Sequence, residues 1–316
     1  MTDKRSRRPL RRHLIALCGG ALLLAALAAL VAADAPRVIY RSRSPYNEII
    51  VTESERGRRV LLFEPGGDEQ SSIDLLQPEA LQADYTKAIT TGLALIAPPR
   101  RALMIGVGGG SVASYLHRRL PELDIDCVDI DAEVVAVAQR FFRFSPDARM
   151  RVHIADGRRF VEQSRDRYDL IILDAYNSDD VPLHLTTAEY LRAVQQRVAP
   201  RGVVVSNLIC EELNRLYPAM LRTFQEVFAD VYSARASRGY NCVVFAFNEP
   251  RAIAAGDLRR ELLRLDRERS FGFDPRPIVV DGWRHETVRA AGVRVLRDAE
   301  LAPASLPASA LKTGDR

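Results

Sequence analysis

Short apolar runs alternate along most of the chain with longer segments in which apolar residues recur at helical spacing. Beyond residue 100, such runs lie at 102–105, 125–130, 151–154, 168–173 and 202–207. Short apolar runs joined by helical segments are typical of parallel strands with crossover helices. The pattern therefore predicts an α/β fold built on an open, mostly parallel sheet.

Two flanking regions follow a different pattern. Residues 37–75 alternate apolar and polar side chains in runs at 38–40, 48–52 and 59–63, separated by turn residues. This predicts a small antiparallel sheet ahead of the main one. The apolar runs at 231–233 and 242–247 predict a hairpin that closes the edge of the main sheet. Helices are predicted over residues 78–96, 112–120, 132–142, 187–198, 216–227 and 257–269, and Pro200 and Gly202 predict a break before the fifth strand.

The first parallel strand ends in a glycine turn. Ile105 is followed by Gly106, Gly108 and Gly110, and a helical segment begins directly afterwards. Glycines allow positive φ angles and close approach of a ligand, and the first amides of the next helix are free donors. The turn predicts a nucleoside site, with a tight turn that needs glycine only for packing as the alternative. The strict dinucleotide fingerprint is not met, because Ser111 stands where its third glycine would be.

Three successive strands of the predicted sheet end in an acid, namely Asp129, Asp156 and Asp174. Ligands of open parallel sheets bind at the carboxyl ends of the strands, so these acids are expected to converge on one crevice beside the glycine turn. Each of them alone could be a helix N-cap. Asp129 lies 23 residues after Gly106, where an acid usually accepts hydrogen bonds from ribose hydroxyls.

Composition and charge narrow the class of partner. The chain has 316 residues, 47% of them hydrophobic, which is enough for a substantial core. The formal net charge is +4, but no basic run stands beside aromatic residues in the middle of the chain. Nucleic acid is therefore not a predicted partner.

The first 33 residues form an N-terminal segment that is distinct from the folded part of the chain. Six cations, Lys4, Arg5, Arg7, Arg8, Arg11 and Arg12, precede an uncharged stretch at 14–33. This predicts a signal sequence or a membrane anchor, with cleavage left open. The excess of positive charge before the stretch predicts that the folded part lies outside the cytoplasm, in the periplasm or beyond. An anchor that leaves the folded part facing the cytoplasm is the alternative.

Cysteine and histidine spacing indicates no metal site. Cys127 and Cys242 lie in strand-like runs and are predicted to be buried thiols, with neither a zinc site nor a disulfide framework indicated. His184 is predicted to pack in a loop or to form a polar rim. No metal is expected.

Five α/β units followed by a hairpin resemble the seven-stranded Rossmann-like sheet of S-adenosylmethionine-dependent transferases. From about residue 37 to 247 the chain also resembles the spermidine synthase-like family, the polyamine aminopropyltransferases. The likeness rests on the small leading β domain, Gln70, Tyr85, the glycine turn, the segment 128–135, Asp156 with Gly157, the segment 168–174 and the segment 185–190.

The resemblance implies a reaction and roles for residues. The family transfers an aminopropyl group from decarboxylated S-adenosylmethionine to a diamine such as putrescine, in polyamine biosynthesis and without a metal. It implies that Gln70, Gly106, Gly108, Gly110, Asp129, Asp156 and Gly157 bind the donor, that Asp174 is catalytic, and that Tyr85, Asn177, Asp179 and Asp180 bind the acceptor. It leaves a homodimer open. An amine attacks only with a free lone pair, which is why the reaction needs a carboxylate such as Asp174.

Two positions depart from the family. Gly109 stands where the family has an acid that holds the aminopropyl amine, and Asn177 stands where it has a second acid, with Asp179 and Asp180 further along. A buried ammonium needs a compensating charge, so these changes weaken the case for an ordinary diamine. Export is a further difficulty, because the decarboxylated donor is made in the cytoplasm.

Three functions follow as hypotheses. The first is aminopropyl transfer, the second is methyl transfer from S-adenosylmethionine itself, which Gly109 favours, and the third is an exported, non-catalytic nucleoside-binding module. The predicted organisation is a leader at 1–33, the small β domain at 34–77, the nucleoside-binding domain at 78–250, a helical and irregular extension at 251–300 and a disordered tail at 301–316.

Overall fold

The computed structural model of the chain describes residues 36–177, 181–236, 240–279, 282–287 and 292–300. The predicted leader at 1–33 and the predicted tail at 301–316 lie outside these residues. Among the residues that are described, no helix combines the length and apolar character that crossing a bilayer requires.

The predicted small sheet is present, and it has one strand more than the sequence pattern indicates. Its antiparallel strands follow chain order: β1 (Arg37–Arg43), β2 (Glu48–Glu53), β3 (Arg58–Leu62) and β4 (Glu69–Asp74). The pattern misses β4 because its sequence, EQSSID, is polar except for Ile73. Backbone pairing with β3 holds this strand in place.

The main sheet contains β5 (Arg101–Ile105), β6 (Asp124–Asp129), β7 (Met150–Ile154), β8 (Tyr168–Leu173), β9 (Val198–Ile209), β10 (Asp230–Arg235), β11 (Asn241–Phe247) and β12 (Arg284–His285). Across the described residues the strand order is β12-β10-β11-β9-β8-β5-β6-β7. Strands β5 to β9 pair in parallel, and β11 pairs antiparallel with both β9 and β10. The predicted α/β class and seven-stranded sheet are confirmed, with the two-residue β12 added at the edge.

The helices are α1 (Asp84–Thr90), α2 (Ser111–Arg119), α3 (Ala132–Phe141), α4 (Gly157–Gln163), α5 (Ala188–Arg197), α6 (Tyr217–Val227), α7 (Ala255–Arg269) and α8 (Arg276–Val279). The helix predicted over 78–96 is shorter than expected, because regular α-helix begins only at Asp84 and gives way to a 3₁₀ segment at Thr91–Leu95.

The break predicted at Pro200 and Gly202 is wrong. Both residues lie within β9, and the register of this strand against β8 shifts between Tyr168 and Leu170. Arg201 adopts a φ of 64° at this irregularity. The turn residues therefore form a bulge inside the strand rather than its boundary.

Alternate residues of the central strands enter two apolar layers. On β5, Leu103 and Ile105 face one layer with α5 and α6, whereas Ala102 and Met104 face the other with α2 and α7. Complete burial of a side chain such as Leu103 contributes about 1.5–3 kcal/mol to stability. These layers fix the carboxyl ends of the strands relative to one another.

Helix α3 joins the small sheet to the main one. Val134 and Val137 pack into the apolar cluster of the small sheet beside Val51. Polar contacts reinforce the junction, since the Tyr40 hydroxyl donates to Glu133 Oε1 at 2.6 Å and the Ser42 hydroxyl donates to the same oxygen at 2.8 Å. The small sheet therefore stands beside the carboxyl edge of the main sheet.

Candidate functional site

A cleft of about 880 Å³ runs along the carboxyl edge of the parallel strands. Ligand pockets in proteins commonly enclose about 300–1,000 Å³. Its walls come from both sheets, because Gln70 and Ser71 of β4 face the glycine turn and the ends of β6 and β8. The predicted site residues that line it are Gln70, Tyr85, Gly106, Gly108, Asp129, Asp156, Gly157, Asp174 and Asn177.

The glycine turn brings two strand ends into direct contact. Gly106 has a φ of 92°, and a Cβ atom there would lie 2.2 Å from the carbonyl oxygen of Asp174. Gly110 has a φ of 72° and precedes α2, with the ring of Phe144 directly behind it. Residues with a side chain would be both strained and obstructed here. Gly110 therefore supports the turn from behind and is not among the residues that line the cleft.

Asp129 is held by the backbone at the end of β6. Its Oδ2 atom accepts from the Val107 amide at 2.8 Å, and its Oδ1 atom accepts from the Asp131 amide at 2.9 Å. Burial raises the pKa of Asp129, while these amide hydrogen bonds oppose the shift. Each carboxylate oxygen keeps a second lone pair, so the side chain can still accept from a sugar hydroxyl.

Asp156 caps a helix and also lines the cleft. Its Oδ1 atom accepts from the Arg159 amide at 2.9 Å at the start of α4, as the N-cap alternative predicts. Its Oδ2 atom lies 2.9 Å from His184 Nε2. Burial would raise the pKa of Asp156, but the hydrogen bonds from His184 and Arg159 outweigh burial and lower it. His184 is therefore a partner of a site carboxylate rather than loop packing alone.

Asp174 follows β8 at the centre of the cleft. Its amide donates to the Ile105 carbonyl at 2.9 Å, and its Oδ1 atom accepts from Asn207 Nδ2 at 2.9 Å. Burial raises the pKa of this carboxyl group to about 7, against the lowering effect of Asn207. Burial first and the Asp174 carboxylate second raise the pKa of Tyr85 well above its ordinary value. At neutral pH the site thus places a carboxylate near its titration point beside a protonated phenol.

The remaining predicted residues divide into two groups. Gln70 lines the cleft from the start of β4, where its amide makes a long hydrogen bond of 3.4 Å to the Asp68 carbonyl, and Asn177 is exposed on the cleft wall. Asp179 and Asp180 lie outside the described residues. Sequence reasoning missed Asn207 and Asn241, although Asn207 stands near the carboxyl end of a strand, as the three acids do.

Gly109 occupies a crowded position. A Cβ atom there would lie 2.5 Å from Ser71 Oγ, 2.9 Å from Ser71 Cβ and 3.2 Å from the ring of Phe142. An acidic side chain at residue 109 requires Ser71 to move. Glycine at residue 109 therefore allows β4 to pack closely against the turn.

A disulfide links Cys210 to Cys242, with their Cα atoms 5.2 Å apart. The prediction that Cys242 is a buried thiol is wrong. The two cysteines are 32 residues apart in sequence, and only the pairing of β9 with β11 brings them together. Cys127 is a buried free thiol, as predicted. Within the described part of the chain, no group of three or more metal-binding side chains is assembled.

Comparisons with known proteins identify the family of the chain. A family model described as the spermine/spermidine synthase domain matches residues 83–237. The chain is also 32% identical over 201 residues to a polyamine aminopropyltransferase of Vibrio vulnificus, and the alignment covers 62% of this chain and 67% of that protein. The chain belongs to the spermidine synthase-like family.

Two solved structures place this member of the spermidine synthase-like family in a wider setting. A probable spermidine synthase from Corynebacterium glutamicum has the same fold, with a TM-score of 0.66, 22% identity and coverage of 86% of this chain and 100% of that one. Human methyltransferase-like protein 13, solved in complex with SAH, matches with a TM-score of 0.54 and 29% identity over 59% of this chain and 92% of that one. The relatives of the chain are therefore transferases of more than one kind.

Proposed function

We propose that the chain transfers an aminopropyl group from decarboxylated S-adenosylmethionine to an amine acceptor such as putrescine. The observation that supports this proposal most is Asp174, a half-buried carboxyl group with a pKa of about 7 that opens into the cleft directly beside the glycine turn. A base that titrates near the working pH is effective in proton transfer.

In the proposed reaction, the acceptor enters as an ammonium ion and gives one proton to Asp174. The freed lone pair attacks the aminopropyl carbon bonded to the sulfonium sulfur, and the carbon–sulfur bond electrons remain on sulfur. The products are methylthioadenosine and the extended amine. Asn207 orients the carboxylate through its hydrogen bond to Oδ1, and Tyr85 adds a neutral donor beside it.

The nucleoside of the donor is assigned to the other end of the cleft. Asp129, fixed by two backbone amides, is proposed to accept from the ribose hydroxyls, and Asp156 with Gly157 is proposed to lie at the adenine. Gln70 and the backbone of Gly106 and Gly108 face the same region from either side. A backbone-held carboxylate loses little entropy on binding, which favours affinity.

Methyl transfer from S-adenosylmethionine is a second candidate, and Gly109 is the observation that favours it. With Ser71 occupying the space of an acid, the turn has no carboxylate at this position to select an amine tail over the amino-acid tail of the intact donor. The likeness to human methyltransferase-like protein 13 in complex with SAH supports the same reading. The two candidates share the nucleoside site and differ in the group transferred.

Product analysis separates these functions. The purified chain is incubated with putrescine and either donor, and methylthioadenosine and S-adenosylhomocysteine are measured by chromatography and mass spectrometry. Methylthioadenosine formed from the decarboxylated donor supports the proposal, and S-adenosylhomocysteine from the intact donor supports methyl transfer. Nucleoside binding in calorimetry without either product would support a non-catalytic binding module and refute both transfers to putrescine.

We also infer that the folded part works outside the cytoplasm. The basic head and uncharged stretch at 1–33 support this location, and so does the Cys210–Cys242 disulfide, since disulfides persist mainly in oxidising compartments. Maleimide labelling of intact cells, opened cells and reduced extracts tests the inference. Cysteines 210 and 242 that become reactive only after reduction support it, and two free thiols in the cell would refute it.

A further inference from the structure

Two asparagines and the proposed base form a chain of hydrogen bonds on one wall of the cleft. Asn241 Nδ2 donates to Asn207 Oδ1 at 3.0 Å, and Asn207 Nδ2 donates to Asp174 Oδ1 at 2.9 Å. Asn207 is only 3% exposed. Because its oxygen already accepts from Asn241, its NH₂ group is the part that faces the carboxylate.

The main chain of Asn207 is fixed as well. The Tyr176 hydroxyl donates to the Asn207 carbonyl oxygen at 2.9 Å, and Asn207 pairs with Val243 in the ladder between β9 and β11. Asn241 pairs with Ile209 two steps further along the same ladder. The relative placement of the two amides therefore depends on how β9 and β11 meet at this end.

The disulfide stands at that end of the ladder. Cys242 follows Asn241 directly, and Cys210 follows Ile209, so the covalent bond joins the two chain segments that carry the amides. Beyond the bond, the Cys210 amide donates to the Tyr240 carbonyl at 2.6 Å, and Tyr240 lines the cleft with 52% of its surface exposed. The disulfide thus joins β9 to β11 next to the entrance of the cleft.

We propose that Asn207 is a positioning residue for Asp174, and that the Cys210–Cys242 disulfide sustains this role by holding Asn241 against Asn207. The inference rests on the proposed function, which assigns Asp174 as the base. The chain of hydrogen bonds itself can be tested without measuring turnover. The oxidised enzyme has an aligned carboxylate, and the reduced enzyme has lost the alignment. The activity of the site then depends on the redox state of its surroundings.

Reduction is chemically accessible from one side. Cys210 is buried and Cys242 is half-buried, so a dithiol attacks Cys242 Sγ, and Cys210 leaves as a thiolate that takes up a proton. The second thiol of the reagent resolves the mixed disulfide. The protein gains two electrons and two protons, and the dithiol is oxidised to its cyclic disulfide. Burial raises the pKa of the Cys127 thiol to about 12, so this cysteine does not compete.

The charge environment gives the direction of the expected change. The titratable group that interacts with Asp174 from a neighbouring element is Tyr85 on α1, and Glu69 on β4 acts in turn on Tyr85, while Asn207 and Asn241 are neutral. The Asn207 amide stabilises the charged carboxylate, so its loss raises the pKa of Asp174. A hydrogen bond of ordinary strength to a charged group shifts the pKa of that group by about one pH unit.

The test is a carbon-13 NMR titration of the Asp174 carboxyl group, assigned with Asp174→Asn, in the full protein. We expect Asn207→Leu to raise the midpoint by about one pH unit, and reduction with dithiothreitol to raise it in the wild type. Reduction should add no further shift in Asn207→Leu, because the route through Asn207 is already broken. Asn248→Ala is the matched control, since Asn248 lies just beyond β11 and donates to the Gln195 carbonyl away from the cleft.

Two further measurements separate the outcomes. Asn241→Ala keeps the disulfide and should raise the midpoint of Asp174 by itself. It therefore tests the chain of hydrogen bonds even if reduction unfolds the protein, which circular dichroism would reveal. An unchanged midpoint in Asn207→Leu would overturn the positioning role. A reduced wild type that loses thermal stability but keeps its midpoint would overturn the redox link. Midpoint shifts in a protein that makes neither product would retain this inference and refute the proposed function.

Discussion

The carbonyl oxygen of Asp174 occupies the space next to Gly106, 2.2 Å from where a Cβ atom of residue 106 would stand. Two strand ends therefore touch without an intervening side chain, and this contact sets the distance between the glycine turn and the proposed base. The consequence is that residue 106 controls both stability and the geometry of the cleft.

Gly106→Ala should destabilise the protein by at least about 2 kcal/mol, since it adds a backbone clash to the cost of a left-handed conformation. Urea unfolding measures the effect, and calorimetry measures the loss of methylthioadenosine affinity. Gly66→Ala is the matched control, because Gly66 has a φ of 73° and open space around it. A similar loss of stability in both variants would show that conformation alone, and not the contact with Asp174, determines the effect.

Asp174→Asn should reduce turnover by about 10²–10⁴-fold, the usual contribution of a general base. Methylthioadenosine affinity should change by less than about threefold, because the nucleoside is assigned to the other end of the cleft. In the wild type, the rate should fall about tenfold per pH unit below pH 7, as the Asp174 carboxylate takes up a proton. Equal losses of turnover and nucleoside affinity in the variant would contradict this role.

The same variant should be more stable than the wild type at high pH. The pKa of Asp174 is raised from 3.8 to about 7, so the folded state holds the proton more tightly than the unfolded state, and stability is lost as the pH rises through this interval. We expect Asp174→Asn to melt about 2–5 °C higher at pH 8 and close to the wild type at pH 4. Calorimetric melting at both values provides the measurement, and an equal difference at the two would rule out titration as the cause.

Residue 109 offers a test of donor choice. Gly109→Asp alone should lose stability, because the new side chain meets Ser71. Adding Ser71→Gly removes the two nearest atoms, leaves only the looser approach to the Phe142 ring, and should restore folding. The double variant should then bind the decarboxylated donor more tightly relative to S-adenosylmethionine, by calorimetry with each. Ser71→Gly by itself is the control, and an unchanged preference in the double variant would remove Gly109 from the account of specificity.

The sequence pattern predicts most of the main sheet, because parallel strands buried on both faces are short apolar runs that differ from amphipathic helices. Strand β4 escapes prediction, since its side chains are polar and its pairing with β3 is a backbone property. Pro200 and Gly202 mislead for a related reason, as a bulge uses the same residues as a turn.

The candidate site was predictable to the extent that it depends on strand order. Asp129, Asp156 and Asp174 line one cleft because the carboxyl ends of parallel strands share an edge. The partners of these acids were not predictable from local sequence. Asn207 and His184 reach Asp174 and Asp156 from segments 33 and 28 residues away, and the disulfide depends on the insertion of β11 between β9 and β10.

That insertion also sets an order of assembly. Strand β10 is synthesised before β11 but lies outside it, so the long edge of β9 has no permanent neighbour until the chain has grown past Phe247. During this interval Cys210 cannot form its disulfide, because Cys242, 32 residues later in the chain, has not yet been synthesised. A nascent chain that pauses there presents an open, apolar strand edge of the kind that recruits other chains, and oxidation of the two cysteines closes that interval.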